Sequence, residues 1–433
     1  MARVGWGIER LEPGSKPVGR GYAVLAMLFA FQTLNFFDKL VFGLSAVPIM
    51  AELKINPRII GLIGSSFYLL FPISGTLVGL FVIGRVRSKT ILGALVLIWS
   101  ASQIAAPLTS SVAILLLCRL ILGLGEGPGL PTALHICYDW FPAGRRNLPS
   151  AIILQGISAG FLIGGPLLSY FIVHYGWRSG FLACGALGII WLLVWSIIGA
   201  EGPHAAAPLH VTGGPQVPAR ALWLDPSIVG VMIMSLMSYY VVGMTATWLP
   251  PYLELGLGYR PIATGWIISA VFAFQSPLLL VGAWASQWLQ RHGWSVRAAA
   301  AQGCTCALGI AGAALIAATS RHGAFQLALI AVGFAAPTLT TVFGPVILGS
   351  AAPAAERGKL IVVIYSANTA SAFTSTYATG WIVDAAGPDR AGGFATAIIV
   401  AGLVLVVGAI ASWLLIDPER TAARLARASG REV

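Results

Sequence analysis

Two pairs of ionisable residues lie inside apolar stretches that are long enough to cross a lipid bilayer. Asp38 and Lys39 are adjacent, and Arg119 lies seven positions before Glu126. A charge at bilayer depth costs at least ~2.5 kcal/mol on insertion scales, so such residues usually serve a function. Carboxylates and cations at this depth can exchange protons or hold a charged solute.

The spacing of these residues predicts which of them act together. Seven residues return to nearly the same helix face, about 10 Å along the axis, so Arg119 and Glu126 can line one cavity. Burial favours the neutral carboxyl group and a nearby cation favours the ionised one, which makes Glu126 the leading candidate for proton exchange. The alternative is a permanent structural ion pair between Arg119 and Glu126.

Asp38 and Lys39 point about 100° apart on a helix, so they cannot neutralise each other side by side. One of them can face a cargo while the other faces a partner in the protein. The alternative for this pair is a snorkelling position near the bilayer surface.

The helix that carries Glu126 contains residues that bend or unwind helices. They are Gly123, Gly125, Gly127, Pro128, Gly129 and Pro131. Broken helices at mid-membrane are where transporters place their binding sites. Close helix packing is the alternative explanation for the glycines.

The composition indicates a polytopic helical membrane protein. The 433 residues are 57% hydrophobic and only 9% charged, and the mean hydropathy is +0.84. About 20 apolar residues cross the bilayer, and twelve such spans can be drawn. They are 22–48, 59–83, 90–108, 112–138, 149–173, 179–199, 227–250, 262–289, 298–319, 323–350, 360–383 and 392–416.

These spans predict an all-α membrane protein of two six-helix bundles, 22–199 and 227–416, joined by a cytoplasmic linker, 200–226, that is rich in Gly and Pro. Residues 1–21 and 417–433 are predicted tails. Most Lys and Arg residues fall in loops on one side, which predicts that both termini are cytoplasmic. The same distribution explains the net charge of +11 without a nucleic-acid partner.

Motifs in the first half resemble the major facilitator superfamily and, within it, the anion:cation symporter family. The run Asn35-Phe36-Phe37-Asp38-Lys39 resembles that family's Asn-Tyr-x-Asp-Arg. The thirteen residues from Arg119 to Pro131 resemble its Arg-x-x-x-Gly-x-x-Glu-x-Pro-x-x-Pro, and Trp140-Phe141-Pro142 matches its Trp-Phe-Pro. Weak internal similarity between the halves also fits parallel repeats.

The resemblance implies a proton-coupled symporter that takes up a small organic anion by alternating access. It implies that Lys39 contacts the substrate carboxylate, with Arg119 in the same site, and that Asp38 and Glu126 are protonation sites. Lys39 replaces the usual Arg and lacks its two-pronged grip on carboxylates. Further substrate-contacting candidates are Gln155, Asn368, Tyr365, Phe71 and Tyr240, although polar residues also join membrane helices structurally.

Phe36 and Phe71 stand where the resemblance implies Tyr in sugar-acid transporters. Loss of two hydroxyl groups removes partners for a polyol. The sequence therefore favours an aromatic or aliphatic carboxylate over a sugar acid.

Two other functions are compatible with such a chain. A drug or cation efflux antiporter of the same superfamily is suggested by the partial run Gly160-Phe-Leu-Ile-Gly164-Gly165-Pro166. A membrane sensor or enzyme on this fold would need a further soluble domain, which the linker and tails cannot hold. No nucleotide, metal or catalytic motif is present, so no cofactor is expected. We expect a monomer in a bacterial inner membrane.

Overall fold

The computed structural model describes residues 19–83, 85–142, 145–203 and 217–428. Most of the predicted N-terminal tail, the middle of the linker and the last five residues lie outside this part of the chain. The described chain is almost entirely helical, with α-helices α1 to α16 in chain order. Their bounds are Gly19–Leu53, Pro57–Phe81, Ser88–Ala105, Val112–Glu126, Gly129–Trp140, Asn147–Tyr175, Trp177–Ile198, Ala219–Trp223, Pro226–Pro251, Pro261–Arg291, Gly303–Ala318, Gly323–Ala335, Thr340–Ala351, Ala354–Ala385, Arg390–Leu415 and Pro418–Ala428.

The prediction of an all-helical membrane protein is confirmed. In the described ranges, eleven helical segments are long and apolar enough to span a bilayer. The remaining predicted span, 360–383, falls within α14 (Ala354–Ala385), which is long enough but more polar. Its Ser and Thr residues account for the difference, and several of them bond backbone carbonyls, which is how such side chains are tolerated in lipid.

The fourth and tenth predicted spans are each broken at a similar position. The fourth consists of α4 and α5, separated by Gly127 and Pro128. The tenth consists of α12 and α13, separated by a short 3-10 turn at Ala336–Leu339 that contains Pro337. The structure therefore places a proline break in the corresponding span of both bundles, as expected for internal repeats.

Small residues let helices of the first bundle approach closely. On α6, Gly156, Gly160 and Gly164 recur every four residues and pack against α1. A Cβ atom at Gly123 or Gly127 would collide with the carbonyl oxygen of Phe67 or Phe71 in α2. Both explanations of the glycines on the fourth span therefore hold, because they support close packing next to a broken helix.

The two bundles meet along three helix pairs, α1 with α9, α2 with α14 and α6 with α10. The contacts concentrate towards one end of the molecule, which we call the sealed end, where residues 54–56, 176, 257–260 and 386–389 connect helices. There Gly43 meets Ala246, Gly165 meets Gly265, and Gly61 meets Thr376 and Gly380.

Hydrogen bonds also join the bundles on this side. Asn56 donates to Asp384 at 3.2 Å, and Ser269 donates to the carbonyl oxygen of Leu162 at 2.7 Å. We call the opposite end, with loops 82–87 and 292–296, the linker end. The small-residue contacts between bundles lie in the half nearer the sealed end, so the bundles are joined asymmetrically.

Candidate functional site

The centre of the first bundle contains a buried ion pair at the break between α4 and α5. Nζ of Lys39 lies 2.5 Å from Oε2 of Glu126. The same ammonium group donates to the side-chain oxygen of Asn35 at 2.5 Å. Glu126 is the last residue of α4, and its side chain is fully buried. The broken helix thus presents a carboxylate directly to the cation on α1.

Arg119 does not pair with Glu126 in this structure. Its guanidinium carbon lies 4.5 Å from the ring centroid of Phe42 and 5.2 Å from that of Phe67. Nε and Nη1 are buried and have no hydrogen-bond partner within the described chain. The alternative of a permanent Arg119–Glu126 pair is therefore wrong for this conformation, because the carboxylate of Glu126 is paired with Lys39 instead.

The helical geometry explains this arrangement. Arg119 and Glu126 do share the predicted face of α4, and that face is turned towards α1. Because α1 and α4 run in opposite directions, Arg119 meets Phe42 while Glu126 meets Lys39 and Asn35. Spacing within one helix predicted the shared face, but it carried no information on which residue of another helix lies opposite.

Asp38 and Lys39 diverge as predicted. Asp38 is 1% exposed and accepts a 2.6 Å hydrogen bond from Nε2 of Gln103 on α3. The thiol of Cys184 on α7 lies beside the same carboxylate. The snorkelling alternative is wrong, since both side chains turn into the bundle rather than towards its surface. Gln103 escaped the sequence reasoning because an isolated polar residue in an apolar span matches no motif.

Three aromatic rings surround the ammonium group of Lys39. Its Nζ atom lies 4.5 Å from the centroid of Phe36, 5.5 Å from Phe67 and 5.9 Å from Phe71. Such ring faces attract cations, and more strongly where water is excluded. Phe71, predicted as a substrate contact, therefore lies at the edge of the ion pair.

The other predicted residues lie in or against the second bundle. Gln155 on α6 accepts a 3.0 Å hydrogen bond from Ser276 on α10, which joins the bundles. Asn368 is fully buried, and neither polar atom of its side chain has a partner among the described residues. Tyr365 donates to the carbonyl oxygen of Thr341 at 2.8 Å, and Tyr240 is partly buried against the core.

The five cysteines are free, and four of them are buried, as small apolar residues commonly are. Across the described chain, no group of three or more His, Cys, Asp or Glu side chains could hold a metal ion. The chemistry that this site offers is ion pairing and proton exchange.

Two six-helix bundles around buried charges define a polytopic membrane protein of the transporter type. The chain belongs to the Major Facilitator Superfamily, whose model matches residues 28–320. The predicted superfamily is therefore confirmed.

Named relatives are transporters of anions. A D-galactonate transporter of Escherichia coli O6:H1 is 23% identical over 93% of this chain and 97% of its own length. A hexuronate transporter of Bacillus subtilis is 26% identical over 58% of this chain and 61% of its own length. A probable chloroplastic anion transporter of rice is 25% identical over 64% of this chain, and the match spans only 49% of that protein.

Solved structures share the fold. A bacterial homolog of the human lysosomal transporter Spinster, inward-facing and unoccupied, superposes with a TM-score of 0.78 at 18% identity, over 97% of this chain and 100% of that chain. The D-xylose-proton symporter gives a TM-score of 0.74 at 15% identity, over 92% of this chain and 99% of that chain. These neighbours and relatives are named as transporters, not enzymes.

Proposed function

We propose that this protein is a secondary transporter that carries a small organic anion together with protons by alternating access. The observation that carries the proposal is the buried Lys39–Glu126 ion pair at the break of the fourth span. A charged cargo can separate two opposite charges that are paired at this depth. The carboxylate also lies at the end of a broken helix, where transporters place their binding sites.

The proposed cycle follows from competition for one cation. Without cargo, Glu126 neutralises Lys39. A cargo carboxylate that binds Lys39 displaces Glu126, which then loses its ion-pair partner in a buried site and takes up a proton. Because an ionised carboxylate without a partner is costly there, anion binding and proton binding favour each other. Asp38 is the second proposed protonation site.

The surroundings of Lys39 support the cargo class. The rings of Phe36, Phe67 and Phe71 offer apolar surface and no hydroxyl group next to the cation. The relatives named for galactonate and hexuronate carry carboxylates with several hydroxyl groups. We propose that this protein takes an aromatic or aliphatic carboxylate instead, because burying a hydroxyl group against an apolar wall without a hydrogen bond costs free energy.

We propose that the second bundle supplies the opposite wall of the site. A fully buried side chain with both polar atoms unpaired is costly unless a ligand pairs with it, which supports Asn368 as a cargo contact. Gln155 is held by Ser276 in this conformation, so a cargo contact there requires this bond between bundles to open. We propose that Tyr365 and Tyr240 border the same space. The hydroxyl of Tyr365 would leave the carbonyl of Thr341 in order to contact the cargo.

The sealed end and the charge distribution support a proposed orientation. With both termini in the cytoplasm, the sealed end faces outwards and the linker end faces the cytoplasm. The bacterial relatives make an inner membrane the proposed location, and we propose that the monomer is the functional unit because each chain contains both bundles.

The test uses purified protein in proteoliposomes. A thermal-shift screen of aromatic, aliphatic and sugar carboxylates identifies a ligand by its stabilising effect. Uptake of that ligand is then driven by an inward pH gradient. We expect accumulation that stops when an ionophore collapses the gradient. Uptake that is unchanged by the ionophore would contradict proton coupling. Accumulation of a cationic drug driven by protons moving in the opposite direction would indicate an antiporter.

A further inference from the structure

Asp38 is buried in the charge cluster and is hydrogen-bonded to α3. Its carboxylate is 1% exposed and accepts a hydrogen bond from Gln103, which is itself 2% exposed. Gln103 lies on α3 (Ser88–Ala105), whereas Lys39 reaches Glu126 on α4. The two adjacent residues of α1 therefore face different helices.

The charged and titratable groups around Asp38 come from three helices. Lys39 lies on its own helix, Glu126 and Arg119 lie on α4, and Cys184 lies on α7. The amide of Gln103 is the hydrogen-bond donor at 2.6 Å. An amide holds a carboxylate in position without carrying a charge, so the carboxylate keeps its ability to bind and release a proton.

A small cavity lies between Gln103 on α3 and Arg119 on α4. Its other lining residues are Phe42, Ile63, Ala106, Leu115, Cys118 and Phe181. Its volume of about 10 Å³ is close to the minimum for a single water molecule. An organic anion is far too large to enter this cavity in the conformation described.

We propose that Gln103 is a positioning residue that sets the pH range over which Asp38 binds and releases its proton. This inference rests on the proposed function, in which Asp38 is a protonation site. Gln103 acts through Asp38 and does not touch the cargo. Its donated hydrogen bond stabilises the ionised carboxylate relative to the protonated one. Asp38, the second proposed protonation site, and Lys39, the proposed cargo contact, thus bond different helices of one bundle.

The experiment measures pH-gradient-driven uptake and its KM across a range of pH. Gln103→Leu removes the amide with little change in volume. We expect the pH dependence of its uptake rate to shift by roughly one pH unit towards alkaline pH, because a hydrogen bond to a charged group is lost. The KM for the carboxylate should change less than two-fold. Gln103→Asn keeps an amide on a shorter side chain, and its profile should lie between wild type and Gln103→Leu.

The matched control is Gln32→Leu. Gln32 is a buried glutamine on α1, 3% exposed, and its side chain makes no hydrogen bond to Asp38 in the described structure. Its uptake profile should stay at the wild-type pH. The control separates the loss of this particular donor from the general effect of replacing a buried amide in the first bundle.

An unshifted profile in folded Gln103→Leu, or an equal loss of rate at every pH, would overturn the positioning role. If Gln103→Leu fails to fold, the shift must appear in Gln103→Asn or the inference is wrong. Asp38→Asn separates the inferred role of Gln103 from the proposed role of Asp38. If Asp38→Asn abolishes coupling while the glutamine variants leave the profile unshifted, only the inference fails. If Asp38→Asn still couples, the proposed role of Asp38 fails instead.

Discussion

The two bundles share a break in corresponding spans but use it differently. In the first bundle the break follows Glu126, which pairs with Lys39. In the second bundle it lies at Ala336–Leu339, and the sequence has no Asp, Glu, Lys or Arg from residue 298 to residue 320 or from residue 322 to residue 355. The same helical repeat thus carries charge in one half and only polar groups in the other.

In the proposed function this difference assigns separate tasks to the bundles. Charge pairing and proton exchange would belong to the first bundle, and the second bundle would supply neutral contacts such as Asn368. The predictions below test that division.

The largest effect is expected for Arg119→Ala. The guanidinium is buried against Phe42 and Phe67, and its charge lies close to both carboxylates of the cluster. Its removal should lower both exchange and coupled uptake at least 100-fold, since the buried charge network loses one of its two cations. Arg178→Ala is the control, because Arg178 pairs with Glu52 in a partly exposed position and its loss should be small.

Glu126→Gln should separate coupling from exchange. The amide cannot carry the proton, so accumulation driven by a pH gradient should fall more than 10-fold, while exchange of labelled for unlabelled carboxylate continues. The matched control in the second bundle is Glu254→Gln, at a half-buried acid in the π-helical turn Tyr252–Gly256. Normal coupling in Glu126→Gln, or lost coupling in Glu254→Gln, would contradict the assignment of proton exchange to the first bundle.

Cross-linking the sealed end should stop transport. Asn56 and Asp384 join the bundles there, and cysteines at both positions can be bridged by a short thiol cross-linker. Uptake should fall to background and return on reduction, because alternating access requires this end to open. Cysteines in place of Lys89 and Ser196, which are joined within the first bundle, form the control pair. Full activity of the cross-linked sealed end would exclude this motion.

Asn368→Ala should have a moderate effect confined to affinity. Loss of one neutral hydrogen bond to the cargo corresponds to about 1 kcal/mol, so KM for the carboxylate should rise roughly five-fold while proton coupling persists. Thr376→Ala, at a buried position on the same helix whose hydroxyl bonds the carbonyl of Gly243, is the control. An unchanged KM in Asn368→Ala would remove this residue from the proposed site.

The smallest effect is expected for Phe71→Tyr. A hydroxyl group at the edge of the Lys39 pocket should favour hydroxylated acids, which shifts the ratio of uptake between sugar acids and aromatic acids a few-fold. The comparison with wild type on both classes of carboxylate measures it. No change in the ratio would place the determinant of cargo class elsewhere.

Much of the fold was predictable because apolar length alone marks a membrane span. The break at Gly127 and Pro128 and the divergence of Asp38 from Lys39 followed from local residue chemistry. The partner of Glu126 did not, because it depends on the register between α1 and α4. Gln103 was missed for the same reason, because its importance comes from a hydrogen bond to Asp38, which lies on a different helix. The orientation of the termini stays a prediction.

The most direct test of the proposed function is an experimental structure of the protein with a transported carboxylate bound. We expect the carboxylate of the cargo to lie on Nζ of Lys39, Glu126 to have moved away from that atom, and Asn368 to contact the cargo from the second bundle. An intact Lys39–Glu126 pair, with the anion bound away from both residues, would contradict it.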